Sequence, residues 1–130
     1  MYLRTELAPN LPLVNGDPVQ LQQVLINLVM NALDAMRLSM EQPRRLLIRS
    51  AKNTEGVLVQ VQDSGPGIEP ELAARIFEPF FTTKAEGTGM GLSISRSIVE
   101  SHGGELSIVS SSQGALLQFT LPVVSTMIHE

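Results

Sequence analysis

The sequence contains no cysteine among its 130 residues. A chain without cysteine has no disulfide framework, no thiolate metal site and no thiol nucleophile, and we expect it to work in a reducing cytoplasm. It also lacks any apolar run near the roughly 20 residues that span a bilayer, and no signal-peptide pattern follows Met1. We therefore expect this domain to make no membrane contact.

Basic residues are few, since nine Lys and Arg stand against thirteen Asp and Glu and give a formal net charge of −4. This balance argues against nucleic acid as a partner. The length and a hydrophobic content of 43% suit a single domain with one core. We expect one domain over residues 1–130, with the fold core at about 3–122 and a tail at 123–130. A strand pattern that is already present at 2–7 indicates a piece of a larger protein.

Hydrophobic periodicity and turn residues divide the chain into strands and helices. Asp17 followed by Pro18 is a strong helix start, and the helical apolar spacing continues to about Met40, before Pro43 enforces a stop. The predicted helices are 18–40, 70–77 and 91–101, and the predicted strands are 2–7, 45–51, 57–62, 105–110 and 116–121. This order favours an α+β fold, a two-layer α/β sandwich whose mixed, mostly antiparallel sheet is covered on one face by about three helices.

Asp63 stands at the end of an apolar strand, directly before a Ser-Gly-Pro-Gly sequence. The two-residue period of a strand sends its side chain to the same face as three alternating valines. A buried carboxylate needs a hydrogen-bond donor, and the absence of side chains at Gly65 and Gly67 lets a flat ligand approach. The pattern suggests a pocket that recognises an amino group such as that of adenine. Taken alone, a tight turn explains the same residues equally well.

Asn27, Asn31 and Asp34 follow one another at helical spacing and form a polar row beside the apolar stripe of the long helix. An amide oxygen is a neutral ligand for Mg²⁺, a hard ion that completes its shell with phosphates and water. Asn31 is the candidate metal ligand. The alternative is that the row is simply a solvated helix face.

A glycine-rich segment, Gly87–Leu92, opens the last long helix. Unpaired backbone N–H groups and the positive end of the helix dipole meet there, and phosphate oxygens bind such positions readily. The segment lacks the Gly-Lys-Ser/Thr ending of a P-loop and does not follow a strand as a dinucleotide-binding fingerprint does. A flexible hinge is an equally good explanation of the glycines by themselves.

Taken together, these segments resemble a known family. Asn27–Ala32, Asp63–Ile68, Phe77–Lys84 and Gly87–Leu92 are similar, in order, to the N box, first glycine box, F box and second glycine box of sensor histidine kinases. The resemblance implies the Bergerat ATP-binding fold shared with DNA gyrase, mismatch-repair ATPases and heat-shock chaperones, with ATP and Mg²⁺ as ligands. It also implies two partners: the dimerisation and histidine-phosphotransfer domain of the same parent protein, and the receiver domain of a response regulator.

The resemblance assigns roles position by position. It implies that Asp63 accepts a hydrogen bond from the adenine amine, that Asn31 is the magnesium ligand, and that Asn27 lies near the phosphates. Lys84 would reach the terminal phosphate from the lid segment, and with Asn27 and Asn31 it completes the expected catalytic set. The other residues expected to bind ATP are Asp34, Gly65, Gly67, Ile68, Phe80, Thr82, Thr83, Gly87, Thr88, Gly89, Met90, Gly91 and Leu92.

Asn27 helps to distinguish ATP hydrolysis from phosphoryl transfer to histidine as the reaction of this domain. ATPases of the superfamily resemble this helix but carry Glu at that place, and an amide cannot take a proton from water as a general base does. A neutral histidine nitrogen already has a lone pair and needs mainly alignment, so Asn27 suits phosphoryl transfer to imidazole. Three alternatives stay open: an ATPase of the chaperone or repair type, an anti-sigma-factor serine kinase, and a docking pseudokinase that binds no nucleotide.

Two positions depart from the family pattern. Asp34 stands where many of these kinases have Lys or Arg, and Ala115 stands where they often have Thr, whose hydroxyl can hold a water near the adenine. Neither His102, at a helix end beside two glycines, nor His129 has the helical setting of a phosphoacceptor. We expect His102 to be structural, and the isolated chain to bind ATP without phosphorylating itself.

Overall fold

The architecture comes from a computed structural model that describes residues 2–9, 11–12, 14–37, 44–54, 56–64, 75, 78, 91–111 and 114–123. The helices and strands in these residues are β1 (Tyr2–Leu7), α1 (Pro18–Arg37), β2 (Arg45–Lys52), β3 (Gly56–Asp63), α2 (Gly91–Ser101), β4 (Glu105–Ser111) and β5 (Gly114–Pro122). The predicted helix at 70–77 lies outside the described residues, apart from Arg75. The predicted end of the first helix near Met40 and its stop at Pro43 lie outside them as well.

The strands form one sheet in the order β1-β2-β3-β5-β4. β1 runs parallel to β2, and every other neighbouring pair is antiparallel. The predicted α+β fold with a mixed, mostly antiparallel sheet is therefore confirmed. The strand order adds that β5, the last strand among the described residues, lies inside the sheet between β3 and β4.

α1 begins where the sequence predicts it. Oδ1 of Asp17 accepts hydrogen bonds from the backbone N–H groups of Val19 at 2.9 Å and Gln20 at 3.3 Å, so Asp17 caps donors that have no partner inside the helix. Pro18 then occupies the first helical position, where its missing N–H costs nothing. Neither described helix is long and apolar enough to span a bilayer.

The core lies between the two helices and one face of the sheet. Residues of α1 and α2 contribute Val24, Leu28, Ala32, Met36 and Val99, and the strands contribute Leu46, Val61, Leu106, Leu117 and Phe119. The strand register places Val61 opposite Leu117, so their side chains share the face that the helices cover. Each large side chain buried in this way stabilises the fold by about 1.5–3 kcal/mol.

The opposite face of the sheet carries a polar row. Nε of Arg49 lies 3.2 Å from a carboxylate oxygen of Glu6, and Nη1 of the same guanidinium donates to Oε1 of Gln60 at 3.3 Å. Nε2 of Gln60 donates in turn to Oε1 of Gln118 at 2.9 Å. The register pairs these residues directly across β1, β2, β3 and β5. Polar contacts therefore cross the face that is not covered by α1 and α2.

The end of α2 is tied to the start of α1 through His102. The backbone N–H of Asp17 donates to Nε2 of His102 at 3.0 Å, and Nδ1 of His102 lies 2.8 Å from the carbonyl oxygen of Ile98. Since a backbone N–H can only donate, Nε2 must be the unprotonated nitrogen, and Nδ1 donates to Ile98. His102 thus has the structural role expected of it.

Candidate functional site

Asp63 points into the protein, as the two-residue period predicts. It ends β3 with 5% of its surface exposed, and Val61 before it on the same face is 2% exposed. Burial of an ionised carboxylate is costly unless donors compensate it. The buried carboxylate of Asp63 therefore needs hydrogen-bond donors, and the donors around it determine what it can recognise.

The start of β5 supplies one of these donors. The backbone N–H of Ala115 donates to Oδ1 of Asp63 at 3.2 Å. Gly114 precedes it with a φ of +132°, and a Cβ built on Gly114 would lie 2.0 Å from the backbone oxygen of Asp63. Only glycine permits this approach. The Gly114-Ala115 pair therefore holds the acid from the neighbouring strand.

Ser64 connects the same strand end to α1. Its hydroxyl donates to the sulfur of Met36 at 3.6 Å and accepts a hydrogen bond from the backbone N–H of Arg45 at 2.8 Å. Met36 belongs to the last two turns of α1, so the chain segment with Asp63 lies against the end of that helix. Asp63 consequently lies near the C-terminal end of α1.

Asn27 joins α1 to the first turns of α2. Its Nδ2 donates to the hydroxyl of Ser95 at 3.0 Å and lies 3.4 Å from the carbonyl oxygen of Gly91. On the other side, Nε2 of Gln23 donates to Oδ1 of Asn27 at 3.0 Å. A solvated helix face does not describe this residue, because its half-buried amide makes contacts with both helices.

Sequence reasoning missed Ser95 and Gln23. Ser95 is fully buried, at 0% exposure. The signal was present, because Leu92, Ser95 and Val99 follow helical spacing, so Ser95 is a hydroxyl within an otherwise apolar stripe. A buried polar side chain requires a partner, and Asn27 is that partner.

Asn31 and Asp34 continue the row along α1, and both are half-buried. The described residues contain no cluster of three or more His, Cys, Asp or Glu that could hold a metal ion. A metal at this row would rely on amide oxygens completed by phosphate and water. That set of ligands suits Mg²⁺, which rarely has a ligand shell made entirely of protein groups.

Gly91 and Leu92 form the start of α2 beside Asn27. Gly91 is exposed, and among the described residues no atom beyond its chain neighbours and its own helix backbone lies within 4 Å of the position that its Cβ would take. The expected ATP-binding residues that lie outside the described part of the chain are Gly65, Gly67, Ile68, Phe80, Thr82, Thr83, Lys84, Gly87, Thr88, Gly89 and Met90. Their assignments remain predictions.

The site therefore has two different ends. Asp63, at the level of Met36, offers an inward-facing acceptor, whereas Asn27 lies beside the helix start at Gly91, where backbone N–H groups favour an anion. The stretch of α1 from Asn27 to Met36 is about 13 Å long at 1.5 Å of rise per residue. An elongated ligand with an amino group at one end and phosphates at the other matches this arrangement.

Comparison with known proteins gives a match to one family over most of the chain. Residues 16–125 match the sequence profile of the family described as histidine kinase-, DNA gyrase B-, and HSP90-like ATPase. Among curated relatives, the sensor protein FixL of Bradyrhizobium diazoefficiens is 47% identical over 124 residues, which are 94% of this chain and 24% of FixL. The chain spans about a quarter of the length of the curated relatives it matches.

Solved structures give the same result for the fold. The nucleotide-free catalytic domain of the histidine kinase ThkA superposes with a TM-score of 0.82 at 39% identity, covering 94% of this chain and 78% of that domain. ThkA in complex with the response regulator TrrA gives a TM-score of 0.77 at 36% identity, with 94% of this chain and 34% of that one covered. Full-length ShkA with AMPPNP gives 0.81 at 28% identity, with 96% of this chain and 26% of ShkA covered.

Proposed function

Because the chain belongs to the family of histidine kinase-, DNA gyrase B- and HSP90-like ATPases, we propose that it is the ATP-binding catalytic domain of a two-component sensor histidine kinase. In this proposal the domain binds Mg-ATP and presents the terminal phosphoryl group to a histidine of a dimerisation and phosphotransfer domain outside this chain. The single observation that carries it is the inward-facing Asp63 carboxylate, fixed at the end of β3 by the N–H of Ala115.

Asp63 is the proposed reader of the base. A carboxylate accepts a hydrogen bond from an exocyclic amine, and the buried position excludes the water that would compete for it. Adenine has such an amine. Guanine has a carbonyl oxygen at the corresponding position, and no hydrogen bond forms between that oxygen and the carboxylate because both are acceptors. The proposal therefore includes selectivity for adenine over guanine.

The asparagine row is the proposed phosphate end. Asn31 offers an amide oxygen to Mg²⁺, and Asn27 lies one turn earlier beside the start of α2. When bound, the metal would neutralise phosphate charge as the terminal phosphoryl group departs. Lys84 and the glycines from Gly87 to Gly91 are proposed to approach the same phosphates.

The proposed reaction is transfer to imidazole. The lone pair of a neutral histidine nitrogen attacks the terminal phosphorus in line, the bond from phosphorus to the bridging oxygen breaks, and ADP leaves. The nucleophile needs alignment rather than a strong base, which agrees with an amide at Asn27. The receiver domain of a response regulator is the proposed next acceptor; ThkA, a relative, was solved in complex with the response regulator TrrA.

Titration calorimetry tests the adenine assignment. The chain should bind a nonhydrolysable ATP analogue with Mg²⁺, and Asp63→Asn should weaken binding by at least about tenfold, since a charged acceptor is replaced by a neutral amide. Asp17→Asn is the matched control, because Asn caps helices as well as Asp does. Position 17 also lies at the opposite end of α1 from Asp63. Equal affinity of wild type and Asp63→Asn would overturn the assignment.

Two experimental outcomes would favour alternatives to the proposed function. Wild-type chain that binds no adenine nucleotide at all would favour a docking pseudokinase. Rapid steady-state hydrolysis of ATP by the chain would instead favour an ATPase of the chaperone or repair type. The proposal expects nucleotide binding, slow hydrolysis and no phosphohistidine on the isolated chain.

A further inference from the structure

Ser95 is a buried hydroxyl that the proposed reaction does not use directly, and its contact is with Asn27. We infer that Ser95 is a positioning residue, which holds the nitrogen of the Asn27 amide against α2 and so directs its carbonyl oxygen away from that helix. This inference rests on the proposed function, because it concerns how the phosphate end of the site is set before nucleotide arrives. Its physical basis is the set of contacts around one amide group.

The contacts determine which end of the amide faces which way. The carbonyl oxygen of Gly91 can only accept, so the Asn27 atom directed toward α2 is the nitrogen. Ser95 accepts from the same nitrogen at the shorter distance of 3.0 Å. Oδ1 consequently points away from α2, toward Gln23, whose amide donates to it at 3.0 Å.

This orientation matters because the two ends of an amide have opposite chemistry. A hard cation and the hydrogens of its bound waters are attracted to a carbonyl oxygen and not to an N–H₂ group. The last torsion of an asparagine side chain is broad and roughly two-fold, so the amide does not hold one orientation by itself. The carbonyl oxygen of Gly91, which can only accept, selects one orientation, and Ser95, fully buried within α2, adds the shorter contact that holds the nitrogen there.

Ser95 also connects this orientation to the glycine-rich segment. It lies one helical turn after Gly91, the residue at which that segment enters α2. The Asn27 amide therefore contacts both Gly91, inside the glycine-rich segment, and Ser95, one turn later in α2.

A double-mutant cycle tests the inference. The affinity for a nonhydrolysable ATP analogue is measured by calorimetry, with and without Mg²⁺, for wild type, Ser95→Ala, Asn27→Ala and the double variant. Ser95→Ala should weaken Mg²⁺-dependent binding by about three- to tenfold, the effect of one hydrogen bond, and leave binding without Mg²⁺ nearly unchanged. The double variant should bind like Asn27→Ala alone, because Ser95 acts through Asn27.

Ser97→Ala is the matched control, since Ser97 is exposed on the same helix and should bind like wild type. Additive losses in the double variant, or no loss in Ser95→Ala, would overturn the inference while leaving adenine binding intact. Failure of the wild-type chain to bind any nucleotide would instead overturn the proposed function.

A second measurement needs neither nucleotide nor a folded variant. In the nucleotide-free wild-type chain, the side-chain amide hydrogens of Asn27 should exchange with solvent more slowly than those of a solvated asparagine, because both contacts on α2 hold the nitrogen. Exchange at the rate of a solvated amide would show that Ser95 does not hold it, and would overturn the inference even if Ser95→Ala does not fold.

Discussion

The backbone N–H of Ala115 donates to Oδ1 of Asp63 across 3.2 Å, so the first residues of the last strand hold the acid that ends β3. The contact joins residues that are 52 positions apart in sequence. It explains how a carboxylate with 5% exposure is compensated in part by the protein itself. It also places the Ala115 methyl group, at the position where the family resemblance predicts Thr, on the same face of the sheet as Asp63.

Replacing Ala115 tests whether the missing hydroxyl affects the base site. Ala115→Thr adds a methyl and a hydroxyl, and Ala115→Val adds nearly the same volume without the hydroxyl. If the hydroxyl lies beside the adenine, the Ala115→Thr variant should bind an ATP analogue about fivefold more tightly than the Ala115→Val variant, a difference of ~1 kcal/mol in binding free energy. Calorimetry on the two variants measures the difference. Equal affinities would show that the position does not contact the ligand or its water.

Substitution of two glycines should distinguish a position that is in close contact with neighbouring backbone, Gly114, from an open position, Gly91. Gly114→Ala forces a Cβ within 2.0 Å of the Asp63 backbone oxygen at a φ of +132°, so we expect the free energy of unfolding to fall by about 2 kcal/mol or more. Gly91→Ala places its methyl group in a helical position where, among the described residues, only its chain neighbours and its own helix backbone can lie within 4 Å, so it should leave stability unchanged or raise it by up to about 1 kcal/mol. Urea unfolding followed by circular dichroism measures both. A destabilised Gly91→Ala chain would contradict the described start of α2.

His102→Ala should destabilise the fold without removing a phosphorylation site. The substitution leaves the Asp17 N–H and the Ile98 carbonyl without the imidazole, at a cost of about 1–3 kcal/mol in the free energy of unfolding. Glu100→Ala, which breaks an exposed ion pair with Arg96 at 3.2 Å, should cost less than about 0.5 kcal/mol. Denaturant titration distinguishes the two. Similar small losses in both variants would show that the link between the helices contributes little.

Local signals predicted most of the fold. The Asp17-Pro18 start of α1 and the bounds of α2 at Gly91–Ser101 agree with the predicted positions. β2, β3, β4 and β5 extend beyond their predicted ends by one or two residues, because pairing with a neighbour continues past the point where side-chain alternation fades. Strand order could not be obtained in this way. Placing β5 between β3 and β4 depends on contacts between distant residues that no local pattern encodes.

For the candidate site, the sequence likewise predicted local features and not contacts between distant residues. The inward direction of Asp63 follows from strand period, and the position of the asparagine row follows from helix period. The partners of these residues do not, since Ser95 lies 68 positions from Asn27 and Ala115 lies 52 from Asp63. Their pairing results from how α2 packs on α1 and how β5 enters the sheet.

The interior position of β5 has a consequence for how the domain is made. During synthesis the chain emerges from its N-terminal end, so β1, β2, β3 and β4 leave the ribosome before the strand that fills the gap between β3 and β4. Until β5 has emerged, Asp63 has no Ala115 beside it and the place between β3 and β4 is unfilled. Non-local pairing of this kind slows folding. Loss of β5 therefore removes an interior strand of the sheet, whereas loss of β1 removes only an edge strand.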